Sequence, residues 1–433
     1  MSFRANSRGQ RGRGSRSRSG HGAPAFGSRD ARLPPDRDLK AGLTTKSSIQ
    51  LECPTITDSD ADIKLANITY LSSYNWTNAK EPTIIVPGSP RLWQNKSLPY
   101  SVQRDSGISF VDQHGYRIPT TPLLPLIAAV NKRYDDGPEI PGLGMDWAGI
   151  DIITDRNNLR KLLRWINRPN NVGHEDEIDE IKDFRIDLQL AGNKTVLMNR
   201  WEKRTQESGG HGSGLNFERA STKAAIGCEA STGHHRIISY NMAGLDIIVR
   251  FEVDACLPSP SSTATGASVD DLADQLAEVA LTTSPGSGND TLSSSPPPLQ
   301  VRAGGSWNVE QSSLIEVTTR SSFNAENFDW KEAFPQLWLS QTQHHFMAVH
   351  DRGVFSSMRK ARLDSEGMVS LEKESQWGFK MLRKVLEEIQ KVVIGYGETG
   401  RLSLVCENGA LSIWERKMED GCLPDELMRL FDV

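Results

Sequence analysis

Two short acidic stretches decide how this chain folds: Arg250–Asp254 (RFEVD) and Leu314–Thr318 (LIEVT). Alternate residues of a strand point to the same face, so Glu252 and Asp254 share a face, as do Glu316 and Thr318. Carboxylates within an apolar sheet cost free energy unless a cation compensates them. Carboxylate oxygens that converge from adjacent strands suit a hard divalent ion such as Mg²⁺ or Mn²⁺. The two stretches therefore predict metal-dependent phosphodiester chemistry.

Composition indicates a folded protein of a reducing compartment. Ten Trp and thirteen Phe can anchor a sizeable core in 433 residues. No run of about eighteen apolar residues is present, so we predict no transmembrane helix and no membrane partner. The five cysteines are scattered without paired metal spacing, which is typical of intracellular proteins. We predict an intracellular location, with the nucleus favoured over the cytoplasm.

Charge and low complexity divide the chain into segments. Residues 1–37 carry nine Arg against two Asp, so they contribute +7 to a net charge of −5 and leave about −12 on the remainder. Segments rich in Gly, Ser, Arg or Pro cannot bury enough apolar area to offset their ordering entropy, and we predict disorder there. The predicted divisions are a disordered arm at 1–45, one folded domain at 46–256 and 306–420, a low-complexity insertion at 257–305 and a C-terminal tail at 421–433.

The folded segments mix strand and helix patterns without a strict βαβ repeat. Residues 402–414 predict a hairpin that turns at Asn408-Gly409, a strong local signal. Residues 330–349 predict mainly helix, and residues 375–393 an amphipathic helix. This mixture predicts an α/β (α+β) fold, with a mixed β-sheet flanked by helices in a single domain.

Three blocks of the chain, residues 70–76, 85–90 and 244–254, resemble a fungal family whose members are often labelled geranylgeranyl pyrophosphate synthetases. Residues 270–274 (DDLAD) also match the Asp-Asp-x-x-Asp pattern with which prenyl diphosphate synthases bind Mg²⁺-diphosphate. That match lies in the low-complexity insertion, and no second copy follows it. The chain also contains too many predicted strands for an all-helical synthase, so prenyl transfer remains a minor alternative.

A more distant resemblance, to the eukaryotic decapping nucleases, rests on five motifs in the family's order. Arg156 precedes a Leu-x-Lys-Leu-Leu helix pattern, Glu218 ends a Gly-x-x-x-Glu motif, and residues 252–254 form Glu-x-Asp. Residues 316–318 fall where the family has Glu-x-Lys, and Gln341 falls where it has a glutamine on the following helix. Each motif is weak alone, but the ordered set implies a restriction-endonuclease-like core.

This resemblance implies a divalent-metal-dependent hydrolase of RNA 5′ ends. One or two Mg²⁺ or Mn²⁺ ions would be held by four acids, Glu218, Glu252, Asp254 and Glu316. Arg156 would neutralise a phosphate, for which its planar donor fork is suited. Gln341 would orient water or a nucleotide. RNA is the implied substrate, and a protein partner such as an exonuclease is a further expectation.

The chain departs from the family at Thr318, which stands where the family has a lysine. Losing one preorganised electrostatic group commonly costs about 10²–10³ in rate. Arg320 lies on the same strand face but is displaced by two residues. The sequence therefore predicts either a weakened nuclease or a catalytically degenerate module that binds RNA or a protein partner.

Histidine pairs and aromatic residues carry weaker signals. His234-His235 and His344-His345 are adjacent, and adjacent side chains diverge on a strand or lie about 100° apart on a helix. Neither pair is therefore expected to chelate a metal by itself. Tyr74, Trp76 and Trp93 could stack on nucleotide bases or pack in the core, and the sequence leaves both alternatives open.

Overall fold

Two β-sheets built from distant parts of the chain form the frame of this computed structural model. The residues that the structure describes are 33–57, 60–136, 144–167, 182–209, 212–259, 299–417 and 420–432. From Pro35 onward they make one compact unit; the segment before it, apart from its last two residues, lies outside the described residues. The acidic motif at 270–274 also lies outside them.

The strands begin and end where β-branched and aromatic residues give way to turn residues. They are β1 Ile49–Leu51, β2 Leu65–Thr77, β3 Thr83–Ile85, β4 Arg91–Trp93, β5 Tyr100–Ser101, β6 Ile108–Phe110, β7 Ile152–Asp155, β8 Phe184–Ala191, β9 Thr195–Trp201, β10 Gln206–Ser208, β11 Thr222–Lys223, β12 Ser231–Met242, β13 Leu245–Glu252, β14 Ala255–Cys256, β15 Gln300–Arg302, β16 Leu314–Ser321, β17 His344–Asp351, β18 Val354–Arg362, β19 Leu402–Glu407 and β20 Ala410–Glu415.

The helices cover the faces of the larger sheet and join the strands of the site. They are α1 Gln113–Arg117, α2 Leu124–Asp136, α3 Arg156–Asn167, α4 Gly214–Ser221, α5 Ser322–Ala325, α6 Trp330–Ser340, α7 Glu366–Tyr396 and α8 Asp425–Met428. Among the described residues, no helix is long and apolar enough to cross a membrane.

The larger sheet has the order β1-β20-β19-β8-β9-β7-β13-β12-β2-β3-β15, and the second sheet the order β11-β4-β14-β16-β17-β18-β5. Both are mixed: β7 runs parallel to β9 and β13, and β16 runs parallel to β17, whereas the hairpins are antiparallel. Strands β6 and β10 form a separate antiparallel pair. The prediction of a mixed sheet flanked by helices is confirmed.

Each face of the larger sheet carries its own hydrophobic cluster. On one face, helices α3, α6 and α7 pack on one another and on the sheet, with Trp338 stacked on Phe379 at 3.9 Å between ring centroids. On the other face, α2 packs against β2 around Tyr74 and Trp76, neither of which is exposed. Burial decides between the two alternatives for these aromatic residues, because both are core residues in the described structure.

The chain passes from one sheet to the other immediately after Glu252. Strand β13 ends there in the larger sheet, and β14 begins at Ala255 in the second sheet. Strand β14 then pairs antiparallel with β16, with Ala255 opposite Ile315. This crossing brings the two acidic stretches together although the insertion separates them in sequence.

Residues 330–349 differ from the predicted helix. Helix α6 ends at Ser340, Gln341 adopts a left-handed φ of 51°, and β17 follows from His344. The first six residues of β17 are all buried, so they show no alternation that would distinguish a strand from a buried helix. Pairing with β16 and β18 makes residues 344–351 a strand.

Three segment boundaries also differ from the predicted ones. In the predicted arm, Leu39 and Leu43 are buried beside Val405, so ordered structure begins before residue 46. Strand β15, inside the predicted insertion, pairs with β3. In the predicted tail, Phe431 is buried in the cluster that contains Trp147. In each case a few apolar residues at the border of a polar segment pack against the folded part of the chain.

The hairpin at 402–414 is confirmed, with Asn408 and Gly409 both at positive φ.

Candidate functional site

A cleft of about 580 Å³ opens beside the point where the chain crosses between the sheets. Six arginines and five acidic residues are among the described residues that line it. The arginines are Arg91, Arg156, Arg160, Arg200, Arg219 and Arg250. A cleft with both signs of charge suits an anionic substrate bound together with a cation.

Three of the four predicted acids line this cleft, and the fourth lies on a strand beside one of them. Glu218 lies on α4, Glu252 ends β13, and Asp254 lies between β13 and β14; all three line the cleft. Glu316 lies on β16 and is half-buried. The backbone N–H of Val317 donates to Asp254 Oδ2 at 2.7 Å, which fixes Asp254 beside the strand that carries Glu316.

The charges of these acids act on one another. Burial, and next the charge of Glu252, raises the pKa of Glu218 to about 7. Burial, followed by the charges of Glu316 and Glu218, raises the pKa of Asp254 well above its ordinary value. Burial also raises the pKa of Glu252. Although much of the Glu252 surface is accessible from the cleft, protein atoms surround its carboxylate, and we attribute the desolvation to them.

These carboxylates form a donor set for a cation rather than a preformed metal cage. Hard oxygen donors with raised pKa values are what a divalent ion would compensate. Yet, among the described residues, no group of three or more His, Cys, Asp or Glu side chains is arranged to hold a metal ion as it stands. Part of the reason is Glu316, whose Oε2 accepts from Arg156 Nη1 at 3.2 Å.

Arg156 begins helix α3 directly after β7, so its guanidinium lies at the end of the sheet where the acids gather. Besides Glu316 it reaches Ser340 Oγ at 3.2 Å and lies over the ring of Phe251, 5.6 Å from its centroid. Arg156 therefore lines the cleft while paired with one of the four acids.

Gln341 lies elsewhere than the resemblance implied. It caps helix α6, its amide Nε2 donates to the carbonyl oxygen of Trp338 at 2.7 Å, and it is not among the described residues that line the cleft. Gln336, one turn earlier on the same helix, instead donates its amide to Glu316 Oε1. The glutamine in contact with the acid cluster is therefore Gln336, five residues before the predicted one.

Thr318 contacts a neutral partner instead of supplying a cation. Its hydroxyl is 3.1 Å from His345 Nε2, and burial lowers the pKa of His345 to about 4. The guanidinium of Arg320 lies over the ring of Phe328, 5.2 Å from its centroid. The cations whose charges act on Glu252 are Arg200 and Arg156. Arg200 was not predicted from the sequence.

A buried network supports the floor of the cleft. Arg250 donates two hydrogen bonds to Asp155, of 2.7 and 2.9 Å, and a third to the Tyr74 hydroxyl at 3.2 Å. The same hydroxyl lies 2.5 Å from His114 Nε2. Because Arg250 and Glu252 point to the same face of β13, this network holds the strand at the end that carries Glu252.

Three polar atoms face the small space over Gly233, beside Glu252. A Cβ built on Gly233 would lie 3.0 Å from Gln113 Oε1, 3.3 Å from Glu252 Oε1 and 3.7 Å from His235 Nε2. The amide nitrogen of Gln113 donates to Thr232 Oγ1 at 2.6 Å, so its oxygen is the atom that faces this space. His235 Nε2 is buried without a hydrogen-bond partner among the described residues.

A sequence signal could have found His235. The β12–β13 hairpin turns at Ala243-Gly244, both at positive φ, and counting outward from that two-residue turn pairs His235 with Glu252. Opposite residues of an antiparallel pair share a face. For Gln336 and Arg200 no local pattern exists, because their positions depend on how α6 and β9 pack.

Comparison with solved structures identifies the fold. Rai1 of Scheffersomyces stipitis in complex with (3′-NADP)⁺ and calcium ion is 12% identical, with a TM-score of 0.52 over 88% of this chain and 99% of that one. Another structure of the same Rai1 is 11% identical, with a TM-score of 0.52 over 90% of this chain and 99% of that one. Rai1 is a decapping nuclease, so the predicted resemblance is confirmed at the level of the fold.

Family membership follows from a sequence match of residues 47–431 to the family described as Domain of unknown function (DUF8563). The chain belongs to this family. No curated protein matches the chain by sequence. The label of geranylgeranyl pyrophosphate synthetase gains no support from these comparisons.

Proposed function

We propose that this protein is a divalent-metal-dependent hydrolase that acts on the 5′ ends of RNA, with a rate reduced by Thr318. The observation that carries the proposal is the gathering of four acids from remote segments beside an arginine-lined cleft. Burial and the charges of neighbouring acids raise the pKa values of Glu218 and Asp254, and a bound cation would favour their ionised forms. The fold that this chain shares with Rai1 supports the same reaction class.

The residues of the chain have distinct parts in this proposal. Glu218, Glu252, Asp254 and Glu316 would hold Mg²⁺ or Mn²⁺, and Glu316 would exchange its contact with Arg156 for the ion. When bound, the ion would polarise a phosphoryl oxygen and lower the pKa of bound water. Arg156, once released, would bind a substrate phosphate with its planar fork. Arg200 and Arg91, which also line the cleft, would add positive charge along the bound strand.

The Rai1 structure that contains calcium supports a divalent site in this fold. Calcium, magnesium and manganese all favour oxygen ligands, so the donor set alone does not separate them. RNA as the substrate, an exonuclease as a protein partner and a nuclear location remain parts of the proposal that rest on the family resemblance.

A second candidate function is a catalytically degenerate module that binds RNA or a protein partner. One observation favours it. Thr318 occupies the position of the family's lysine, and its partner His345 is neutral, so neither side chain supplies a positive charge. Glu316 is also already engaged in an ion pair with Arg156, so one of the four acids is not free to hold a metal ion in the described structure.

The two candidates are separated by binding and turnover measurements on the same protein. We expect Mn²⁺ to bind in calorimetry and a Glu252→Gln/Asp254→Asn variant to lose that binding. The wild type should then release nucleotides or cap fragments from 5′-triphosphate, capped or 5′-monophosphate RNA in the presence of Mn²⁺. A Glu207→Gln variant, changed at an exposed glutamate on β10, should match the wild type. Metal binding without turnover would favour the binding module, and absence of metal binding would contradict both the metal site and the reaction.

A further inference from the structure

The amide oxygen of Gln113 is an unpaired acceptor on the wall of the cleft. Gln113 is the first residue of α1, only 6% of its surface is exposed, and it lines the cleft. Within the described part of the chain no donor contacts its Oε1, and this oxygen is not among the buried unpaired atoms, so it keeps surface that solvent reaches. An acceptor on a side chain this buried gains free energy from a partner that enters through the cleft.

The hydrogen bonds of Thr232 fix which atom of the Gln113 amide is free. The Thr232 hydroxyl donates its proton to the backbone carbonyl oxygen of Trp76 at 3.3 Å. The same hydroxyl oxygen accepts from the amide nitrogen of Gln113 at 2.6 Å. A flipped amide would instead place two acceptor oxygens against each other with no proton between them. The free atom is therefore the oxygen.

Helix α1 holds Gln113 in place from both of its ends. At the start, the side chain of Asp112 caps the helix. At the other end, the guanidinium of Arg117 donates to the carbonyl oxygens of Thr77 and Ala79, each at 2.7 Å. A side chain held in this way has little freedom left to lose when it binds a ligand.

The free oxygen of Gln113 lies beside the carboxylate of Glu252. Gln113 Oε1 and Glu252 Oε1 are 3.0 and 3.3 Å from the point where Gly233 would carry a Cβ. The Glu252 carboxylate has no hydrogen bond or ion pair of its own within the described residues, where Arg200 and Arg156 act on it only through space. Two neighbouring acceptor oxygens, one of them on an acid, are stabilised by a positive group between them.

We infer that Gln113 Oε1 is a further ligand of the divalent ion that Glu252 holds. This inference rests on the proposed function and adds a ligand to its four acids. Amide oxygens are among the ligands that divalent ions such as Ca²⁺ take, at about 2.3–2.6 Å. A small side-chain rotation would bring both oxygens to one ion, since each lies within 3.3 Å of the same point. A neutral ligand also adds a donor atom without adding to the repulsion among the carboxylates.

Mn²⁺ calorimetry of the full chain tests this assignment with two substitutions of opposite expected effect. Gln113→Leu removes the oxygen and should weaken Mn²⁺ binding by about 5- to 20-fold. Gln113→Glu puts a charged oxygen at the same place and should bind Mn²⁺ about 3- to 10-fold more tightly than the wild type, because affinity rises with the number of charged ligands. Both variants lose the hydrogen bond to Thr232, so a purely structural role of Gln113 predicts weaker binding in both.

Two control variants separate ligation from other effects. Gln206→Leu changes a half-buried glutamine of β10 that is not among the described residues that line the cleft, and it should bind Mn²⁺ like the wild type. Ser106→Glu adds the same charge at an exposed position of the cleft wall and should gain less affinity than Gln113→Glu. The electron paramagnetic resonance spectrum of bound Mn²⁺ should change in both Gln113 variants and in neither control.

Three outcomes would overturn the inference and leave the proposed function standing. They are equal Mn²⁺ affinity of Gln113→Leu and the wild type, weaker binding by Gln113→Glu, and a gain in Gln113→Glu no larger than that in Ser106→Glu. If Gln113→Leu fails to fold by circular dichroism, the direction of the change in Gln113→Glu decides. Wild-type protein that binds Mn²⁺ without hydrolysing RNA would contradict the proposed reaction but not the ligand, whereas wild-type protein that binds no Mn²⁺ would contradict both.

Discussion

At the residue scale, Thr318 is the position that most directly limits the proposed chemistry. It lies two residues after Glu316 on the same strand face, which is where a cation would act on the substrate phosphate. In the structure its hydroxyl contacts His345, which burial keeps neutral at physiological pH. Neither Thr318 nor its partner His345 therefore supplies a positive charge at this position.

Replacing Thr318 with lysine should raise the rate of RNA hydrolysis. The expected gain is about 10²–10³ in kcat, the usual contribution of one preorganised electrostatic group. Single-turnover assays with Mn²⁺ measure it, and Thr319→Lys, whose side chain points to the other face, is the control. An unchanged kcat in Thr318→Lys protein that still binds Mn²⁺ would indicate that another group already supplies the charge.

Glu218 makes the stability of the metal-free protein depend on pH. Its pKa rises from an ordinary value of 4.5 to about 7 on folding, so the folded state favours the protonated acid. This contribution to stability is complete below about pH 4.5 and is lost as the pH rises through about 7. Glu218→Gln should therefore gain stability relative to the wild type as the pH increases from 5 to 8.

Thermal melts of both proteins in a metal chelator measure this difference in Tm. Adding Mn²⁺ at pH 8 should reduce it, because a bound cation stabilises the ionised carboxylate of the wild type. Glu207→Gln should show no such trend. A constant difference in Tm across pH 5 to 8 would contradict the raised pKa.

At the scale of elements, helix α6 connects the acid cluster to the helical face of the sheet. Gln336 contacts Glu316, while Glu332, one turn earlier, pairs with Arg160 and Arg164 of α3. Helix α3 also carries Arg156, so both side chains that contact Glu316 come from two helices that pack together. The packing of α3 on α6 thus sets the position of Glu316.

Gln336→Ala should weaken Mn²⁺ binding and RNA hydrolysis, because Glu316 loses the contact that orients it. Partners that orient a metal ligand typically contribute about 10- to 100-fold in metal affinity or activity. Gln341→Ala is the matched control, since this side chain only bonds the end of its own helix. Calorimetry and single-turnover kinetics measure both variants. A larger loss in Gln341→Ala would restore the role first predicted for that residue.

At the scale of the whole molecule, the site joins two sheets, so ligand binding should stabilise the entire fold. Glu252 ends a strand of the larger sheet and Glu316 belongs to the second sheet. A cation bound by both would link them. Free Mn²⁺ at 100 times its Kd should stabilise the protein by about 2.7 kcal/mol. Differential scanning calorimetry checks the rise in Tm, and Glu252→Gln/Asp254→Asn protein should show none.

Much of the local structure followed from the sequence. The hairpin at Asn408-Gly409 and the strand that carries Glu252 were predicted from residues only a few positions apart, since turn chemistry and side-chain period are local properties. Strand β17 was missed because complete burial removes its alternation. The end of helix α6 was missed because no Gly or Pro follows Ser340, and Gln341 itself takes the left-handed C-cap conformation.

The sequence by itself determined which acids the site could contain and the strand faces on which Glu252 and Glu316 lie. Only the tertiary structure decided that Glu218 joins them and that Gln336 rather than Gln341 contacts Glu316. The physical reason is the sequence separation between the residues that set each property. Strand faces are fixed by neighbours along the chain, whereas these contacts depend on how sheets and helices pack across scores of residues.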